Sequence, residues 1–585
     1  MKLIARYLSP YKWRVLLSLI IKTAGTFAEL LIPYVLEYMI DTVAPGGNAG
    51  MIFACGGVML VFSAMIFAFN VIANRLSVET ARRASTNVRR DLFWKSINLS
   101  GTTFDDFTLP SITSRMTSDS YNVQDFSRMI QTIGIRAPLM LIGGIIVSLI
   151  MDTGLGLIIS IIAPISLAIT IILSFKGIPL YDNVQNSVDE LSLIMRENIT
   201  GIRVVKSLSK EEYEKGRFSD ANDIMVRREK KANTVMALPG PIMTLLLNIG
   251  LTLVVIVGAY RVNGGVTEPG VILAFLTYFN MILMGTMGIG RVLLTMSKAN
   301  ASARRIQAVI DQPEELIPIA QSEAASTSDP GYIVFEDVTF SYGDDQEKTN
   351  DGFAGGRRRS SISDISFSIP KGGSLGILGP TGCGKSTIIS LLMRFYDIKQ
   401  GHIFVDGKDI RSYDLSDLRK RFGIAFQTDM IFADTIEENI RFGRDLDTEQ
   451  IIKAAEDACA SEFIEEYEDG YSHEAAAHGS NFSGGQKQRI LIARALAGES
   501  EILILDDSSS ALDYKTDAQV RKSIRENHSS TSIIVAQRVS SVMSLDQIMV
   551  MNDGCIIGLG NHEYLMENCE EYREIYRIQM GKEEE

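Results

Sequence analysis

The chain has 585 residues, 46% apolar and 22% charged, with a mean hydropathy of +0.12; it is too long for one hydrophobic core and fits two large domains or three to four small ones. Its net charge of −13, from 57 Lys and Arg against 70 Asp and Glu, supplies no electrostatic footprint for nucleic acid and argues against that partner. Five cysteines, Cys55, Cys383, Cys459, Cys555 and Cys569, stand singly without zinc-site or disulfide spacing, so the soluble part is expected in a reducing compartment.

A bilayer core of about 30 Å needs roughly 20 apolar residues in a helix, and that length organises the first half of the chain. Residues 15–40 are apolar but carry Lys22, Glu29 and Glu37; no short apolar core ends at a small-residue cleavage site, so this segment is expected to be a first membrane helix and not a signal peptide. Runs 51–73, 153–175, 232–260 and 269–290 contain no Asp, Glu, Lys or Arg, and 129–151, with Arg136, makes a third helix. Six spans therefore predict a polytopic α-helical membrane domain over 1–311. Lys2, Arg6, Lys12 and Arg14 precede the first span; Arg75 to Arg128 carries eight basic residues and Lys176 to Lys231 eleven, whereas the turns between are almost free of them. Basic residues stay on the cytoplasmic side, so both termini are expected in the cytoplasm, with the chain spanning the cell membrane and in contact with its lipid bilayer.

The segments 74–128 and 176–231 are rich in helix formers, with apolar spacing such as Val184, Val188, Leu191 and Met195. At 1.5 Å per residue they predict helical hairpins reaching tens of ångströms into the cytoplasm. Their turns are expected at 102–110 and 211–219, which are candidate contacts with another domain. Charged residues in spans are costly, so Glu29, Glu37, Lys22 and Arg136 are candidates for a translocation cavity or for interhelical pairing. Glu29 lies mid-span, where a carboxylate facing water favours cationic amphipathic substrates.

Beyond Arg304 the composition changes. Residues 312–331 read as a linker, 332–340 alternate like a strand, and 374–378 and 502–505 are continuous apolar runs of a buried parallel sheet, so 332–585 is expected to be an α/β domain. Strand 374–378 runs into Gly379, Pro380, Thr381, Gly382, Cys383, Gly384, Lys385 and Ser386, followed by Thr387: GxxxxGK[ST] in its strand–loop–helix setting. Glycines let consecutive N–H groups turn toward phosphates, Lys385 neutralises the β- and γ-phosphates, and the Ser386 hydroxyl can ligate Mg²⁺. Cys383 reads as a small packing residue and predicts sensitivity to thiol reagents. Strand 502–505 ends in two carboxylates, and Asp506 stands where a P-loop protein holds hydrated Mg²⁺. These motifs alone specify a binder of nucleoside triphosphate.

Phe482, Ser483, Gly484, Gly485 and Gln486, continuing through Lys487, Gln488 and Arg489, resemble the signature sequence of ATP-binding cassette (ABC) proteins, and they stand upstream of Asp506 as that family has it. The resemblance covers the whole chain and is to exporter-type half-transporters, a six-helix membrane domain followed by a P-loop nucleotide-binding domain. It implies ATP and Mg²⁺ as cofactors, Tyr342 stacked on adenine, Gln427 as the glutamine that meets Mg²⁺ and the membrane domain, and Ser510 to Asp513 as the loop after the acidic strand, with Asp513 counted among the catalytic residues. It also implies that the signature faces the γ-phosphate of ATP held by an opposite subunit, so that two cassettes are needed.

Two positions depart from the family. Asp507 stands where a Glu usually positions or activates the attacking water, a shortening of over 1 Å, and misplacements of that size cost about 10²-fold in rate. Gln537 replaces the usual switch histidine; it can hydrogen-bond phosphate but cannot carry positive charge. With the other elements kept, the expectation is the degenerate subunit of a heterodimeric exporter of drugs, lipids or peptides, whose partner supplies the Glu and the His. A homodimer with two weak sites, an exporter-fold importer of metal chelates and a nucleotide-gated sensor are the alternatives. Within His473 to Ser480, Ala475 to Ala477 remove charges common in the family, and His473 and His478 are expected as exposed loop histidines. Residues 343–363, with Gly355-Gly-Arg-Arg-Arg-Ser-Ser361, read as a surface loop with a regulatory role as alternative, and 583–585 as a solvated acidic tail.

Overall fold

The structure is a computed structural model that describes residues 1–313, 316–320, 322, 324–342, 361–427, 430–508 and 510–581. The chain divides into two compact units, Met1–Asn98 with Thr108–Gln312, and Leu99–Phe107 with Pro313–Glu585.

The first unit is all helix, and among the described residues six helical stretches are long and apolar enough to cross a membrane. They contain Lys12–Tyr38, Ala49–Ile97, Ser120–Met151, Thr153–Thr200, Pro239–Asn263 and Pro269–Ile310. Helices of 49 and 48 residues are about 70 Å long, more than twice the bilayer core, so the expected extensions continue the apolar helices without interruption. Buried Leu155, Ile159, Val254, Phe275, Tyr278 and Ile282 form the membrane-level core, where the Tyr278 hydroxyl donates to the carbonyl of Leu30 (2.7 Å). Asp41 caps the sixth span, accepting from the N–H groups of Gly270 (2.6 Å) and Val271 (3.1 Å), which satisfies donors the helix start leaves open.

Within the fifth stretch, Glu211–Asn263, helix Glu211–Ala237 gives way to Pro239–Asn263, since a proline lacks the N–H that would continue the ladder. Two expectations need correction. The second hairpin turns at 201–210, not 211–219: Gly201 ends Thr153–Thr200, a short helix Ile202–Ser207 follows, and Ser209 takes a left-handed φ of 52°. Residues 211–219 instead open the returning helix, where Arg217 pairs with Glu197 (2.6 Å) and Asn198 bonds Glu214 (2.8 Å) within the hairpin. Ile194, 6% exposed, takes the inward place expected of Met195, which is 47% exposed. Arg228 of the returning helix bonds Ser187 (2.8 Å), which sets the buried row along Ser187 and Ile194.

The second unit holds β1 (Ile333–Phe340), β2 (Ile362–Ile369), β3 (Ser374–Leu378), β4 (Gln400–Val405), β5 (Lys408–Asp409), β6 (Phe422–Ala425), β7 (Ile502–Asp506), β8 (Thr531–Ala536), β9 (Gln547–Asn552) and β10 (Cys555–Gly560). An antiparallel sheet runs β2-β1-β4-β5, and a six-stranded sheet runs β10-β9-β3-β8-β7-β6, parallel except at β10. Leu378 pairs with Ala536 and Asp506 with Val535, so β3, β7 and β8 end at one edge, where open α/β sheets bind ligands. The stretch read as a free linker is strapped down in part: the Ile317 carbonyl accepts from buried Arg394 (3.1 Å) and the Ile319 N–H donates to Arg411 (2.9 Å). Ser361–Ser363, expected in a loop, lead into and join β2, where Ile362 pairs with Phe340; residues 343–360 and the acidic tail 583–585 lie outside the described residues.

Segment Leu99–Phe107, from the first expected turn, counts with the second unit. The Gly101 N–H donates to the Phe395 carbonyl (2.9 Å) and the Tyr396 hydroxyl to Asp105 (2.9 Å). A Cβ on Gly101 would meet the Tyr396 ring at 2.5 Å, so the approach depends on glycine.

Candidate functional site

At the end of β3 the loop from Gly379 to Gly384 turns through φ of +86° at Gly382 and +103° at Gly384, then opens helix Lys385–Leu392. A Cβ on Gly384 would stand 2.6 Å from Ile362 and 2.8 Å from the Ser361 carbonyl, so only glycine closes this turn. Gly384 makes no side-chain cap, which leaves the first N–H groups of the helix as donors at its positive end. Buried Lys385 lies back along the loop, its ammonium 2.7 Å from the Gly379 carbonyl and 2.8 Å from that of Pro380. Cys383 is 3% exposed beneath the loop, a packing place that works against the expected thiol reactivity.

Asp506 and Asp507 stand side by side at the end of β7 and differ in their partners. Asp506 accepts from the Ser386 hydroxyl, and burial pushes its carboxyl above the usual range despite that bond and nearby Lys385. Asp507, at a left-handed φ of 49°, has one oxygen, Oδ2, bonded by two amides: Gln537 Nε2 at 2.7 Å and Gln427 Nε2 at 3.2 Å. Burial raises this carboxyl too, against the bond from Gln537 and the charge of Lys385. The two positions that depart from the family are thus hydrogen-bonded to each other.

Tyr342 sits edge-on to Phe340 (5.0 Å) and Tyr396 (5.1 Å), and its hydroxyl lies 3.3 Å from Thr387 Oγ1. A cavity of about 510 Å³ gathers Tyr342, Thr381, Gly382, Gly384, Lys385, Ser386, Thr387, Gln427, Asp506, Asp507 and Gln537. Gly379 and Pro380 form the back of the loop instead, lining a neighbouring cavity. Ser386 and Asp506 present oxygen donors to this cavity, and Gln427, whose nitrogen is on Asp507, adds an amide carbonyl to its lining. Such a hard-oxygen set fits Mg²⁺.

Ser483 caps helix Gly484–Leu496 in a reciprocal box: its hydroxyl accepts from the Gln486 N–H (3.3 Å) while Gln486 accepts from the Ser483 N–H (2.9 Å). Phe482 is buried beneath, whereas Ser483 and Gly484 are exposed. These five residues do not line the 510 Å³ cavity. Asp513, expected in a catalytic role, caps helix Tyr514–Asn527: its carboxylate accepts from the Thr516 N–H (2.9 Å) and hydroxyl (2.8 Å), and these bonds hold its carboxyl below the usual range. His473 is not an exposed loop histidine. It stacks on Tyr467 (3.9 Å, 7°) and bonds Asp469 (2.9 Å), since the chain ahead of the signature folds over Phe482; His478 is exposed as expected. Glu29 and Arg136 form a two-point ion pair (2.7 and 3.2 Å), so for these two the interhelical pairing is realised. Lys22 bonds Asn70 (2.5 Å) and Asn74 (3.3 Å).

Residues 15–287 match the ABC transporter transmembrane region and 362–510 the ABC transporter domain. The uncharacterized ABC transporter ATP-binding protein YfiB of Bacillus subtilis (strain 168) is 31% identical over 99% of this chain and 98% of its own length. The chain is an ABC transporter. Uncharacterized ABC transporter ATP-binding protein Rv1273c of Mycobacterium tuberculosis (strain ATCC 25618 / H37Rv) is 30% identical over 98% of this chain and 97% of its own. The fold matches a bacterial Atm1-family ABC exporter with ATP bound at a TM-score of 0.82 and 23% identity, covering 97% of this transporter and 99% of that chain. With one membrane unit and one nucleotide-binding unit, this ABC transporter is a multi-pass half-transporter that uses ATP.

The transporter's cavity also takes in Ser361, Val535, Asp553 and Gly554, which motif reading missed. Asp553 and Gly554 have φ of 45° and 82° and join β9 to β10; an Asp-Gly pair between apolar runs was a legible hairpin signal, but nothing local tied it to the nucleotide loop.

Proposed function

We propose that this chain is one half of a heterodimeric, ATP-driven exporter of amphipathic small molecules (drugs, lipids or peptides) in the cytoplasmic membrane, with both termini in the cytoplasm. One observation carries the reading: Asp507 Oδ2, at the position of the water-activating carboxylate, is bonded by the amides of Gln427 and Gln537. Both bonds occupy the oxygen that would have to take the water's proton, and the shorter side chain holds the carboxylate farther from an attacking water. Gln537 offers a neutral amide where transition-state charge calls for a cation. Lys385, the loop N–H groups and Tyr342 remain in place to bind ATP. Mg²⁺, held by Ser386, Gln427 and Asp506, would neutralise phosphate charge. This chain's own site is therefore expected to bind ATP and hydrolyse it slowly, while Ser483, Gly484 and Gly485 complete the competent site on a partner half-transporter that carries the Glu and the His. ATP at both sites closes the cassettes and turns the membrane cavity outward; hydrolysis at the partner's site resets it.

The test is co-purification of the tagged chain from its native membrane, followed by ATPase assay of the assembly. A stoichiometric second half-transporter, whose own Glu→Gln change abolishes turnover while Asp507→Asn only modulates it, is the expected result. A lone chain with robust turnover would overturn the reading.

A further inference from the structure

Helix Glu570–Met580 packs onto the segment that follows the switch position. Tyr572, fully buried and bonded to His562 (2.7 Å), shares a core with Leu378, Ala536, Val539 and Val542, and Ile575 and Tyr576 pack against it. From the penultimate position of the helix, Gln579 reaches back and grips the backbone on both sides of Arg538. Its Oε1 accepts from the Val539 N–H (2.7 Å) and its Nε2 donates to the Gln537 carbonyl (2.8 Å). Both partners are backbone groups with fixed polarity, which settles the orientation of the amide. From the same residue whose carbonyl is held, the Gln537 side chain extends to Asp507 (2.7 Å). The Gln579 side chain also stands between two cavities that share it with Gln537, one floored by Gly379, Pro380 and Thr381, the other by Asp507 and Ser510.

We infer that Gln579 is a positioning residue for the ATP site: by clamping the backbone from Gln537 to Val539 it holds the Gln537 amide at the γ-phosphate end of the cavity, and so ties docking of helix Glu570–Met580 to retention of ATP. The inference rests on the reading above that this site holds ATP without rapid turnover. It acts through a terminal phosphate that ADP lacks, and that separates it from a plain packing role.

The experiment uses the assembled transporter in its native membrane. Photo-crosslinking with 8-azido-ATP or 8-azido-ADP after a chase of unlabelled nucleotide reports how long each subunit, resolved by gel, retains label. Gln579→Met keeps the volume and removes both bonds; retention of 8-azido-ATP on this chain is expected to shorten roughly tenfold, as for loss of one hydrogen bond to a charged group, with 8-azido-ADP unchanged. Gln579→Glu keeps the acceptor for Val539 and loses only the donor to Gln537, so it should match Gln579→Met even if the latter folds poorly. Gln537→Ala should give the same shortening, and adding Gln579→Met to it should give no more. Equal loss of ATP and ADP, or multiplying effects in the double variant, would overturn the inference. Rapid conversion of bound label to the diphosphate on the unaltered chain would instead overturn the slow-site reading on which it rests.

Discussion

Two helix N-termini in the nucleotide-binding unit are built from glycine and a hydroxyl residue, and they are finished differently. At Lys385–Leu392 no side chain caps the first turn, the glycines bend the chain left-handed, and Lys385, Asp506 and Tyr342 wall a cavity around the open donors. At Gly484–Leu496 the reciprocal box takes up the N–H groups of Gln486 and Ser483, not those of Gly484 and Gly485, and Ser483 and Gly484 stand exposed. The first is a complete anion site. The second offers a hydroxyl and backbone amides on an exposed surface, which suits a site completed by something else. A shared motif chemistry thus divides by surroundings into a site and half of one.

That contrast can be broken from either side. The largest effect is expected from Lys385→Ala, which should cut photo-labelling of this chain by ATP by roughly 100-fold through loss of charge-assisted bonds to phosphate; persistent labelling would mean that the walled site is not where ATP binds. Next is Gly484→Ala. An added Cβ meets Ala511 at 3.5 Å, an ordinary contact, so the fold should stand. Turnover of the assembly should nevertheless fall about 100-fold, because a 1 Å displacement at the completed site is that costly, while this chain's own labelling is unchanged. If this chain's labelling falls instead, the signature serves its own site.

A smaller gain is expected from Asp507→Glu combined with Gln537→His, which lengthens the base and supplies a cation. Hydrolysis at this chain's site should rise roughly tenfold or more in an assembly whose other site is disabled. No gain would place the barrier elsewhere. The mildest test is pH. Burial raises the carboxyls of Asp506 and Asp507, so on acidification they take up protons above the ordinary carboxylate range. Mg²⁺-dependent ATP binding should weaken in that window, and Asp506→Asn should flatten the acid limb. Stability carries the opposite sign: the folded chain binds these protons more tightly than the unfolded chain, so the cost of burying the charges is relieved as pH falls through the raised values. Parallel loss of stability and binding in that window would contradict this assignment.

Much of the site was legible because its chemistry is local. Lys385, Ser386 and Asp506 stand in patterns whose strand–loop–helix setting is itself readable, and the six spans follow from length and charge alone. What escaped depended on tertiary neighbours. The bond between Asp507 and Gln537 links residues 30 apart through adjacent strands β7 and β8, and each departure read separately gave no hint of it. The partners of Asp513 and Glu29, Thr516 and Arg136, are likewise set by the fold. The second hairpin turns ahead of the middle of its segment because Glu211, Glu212 and Glu214 are the favoured acidic first turn of a helix. Gln579 carries no motif at all.

Segment Leu99–Phe107 belongs to the second unit although its chain neighbours belong to the first. During synthesis this has a temporal consequence. About two hundred residues separate it from the rest of its unit, and at ribosomal rates of about 5–20 residues per second they take roughly 10–40 s to appear. Throughout that interval Asp105 awaits the Tyr396 hydroxyl and Gly101 awaits the Phe395 carbonyl. The first membrane hairpin must therefore be inserted and held with its tip unsatisfied, which makes that tip a place for the nascent chain to meet a chaperone or misfold.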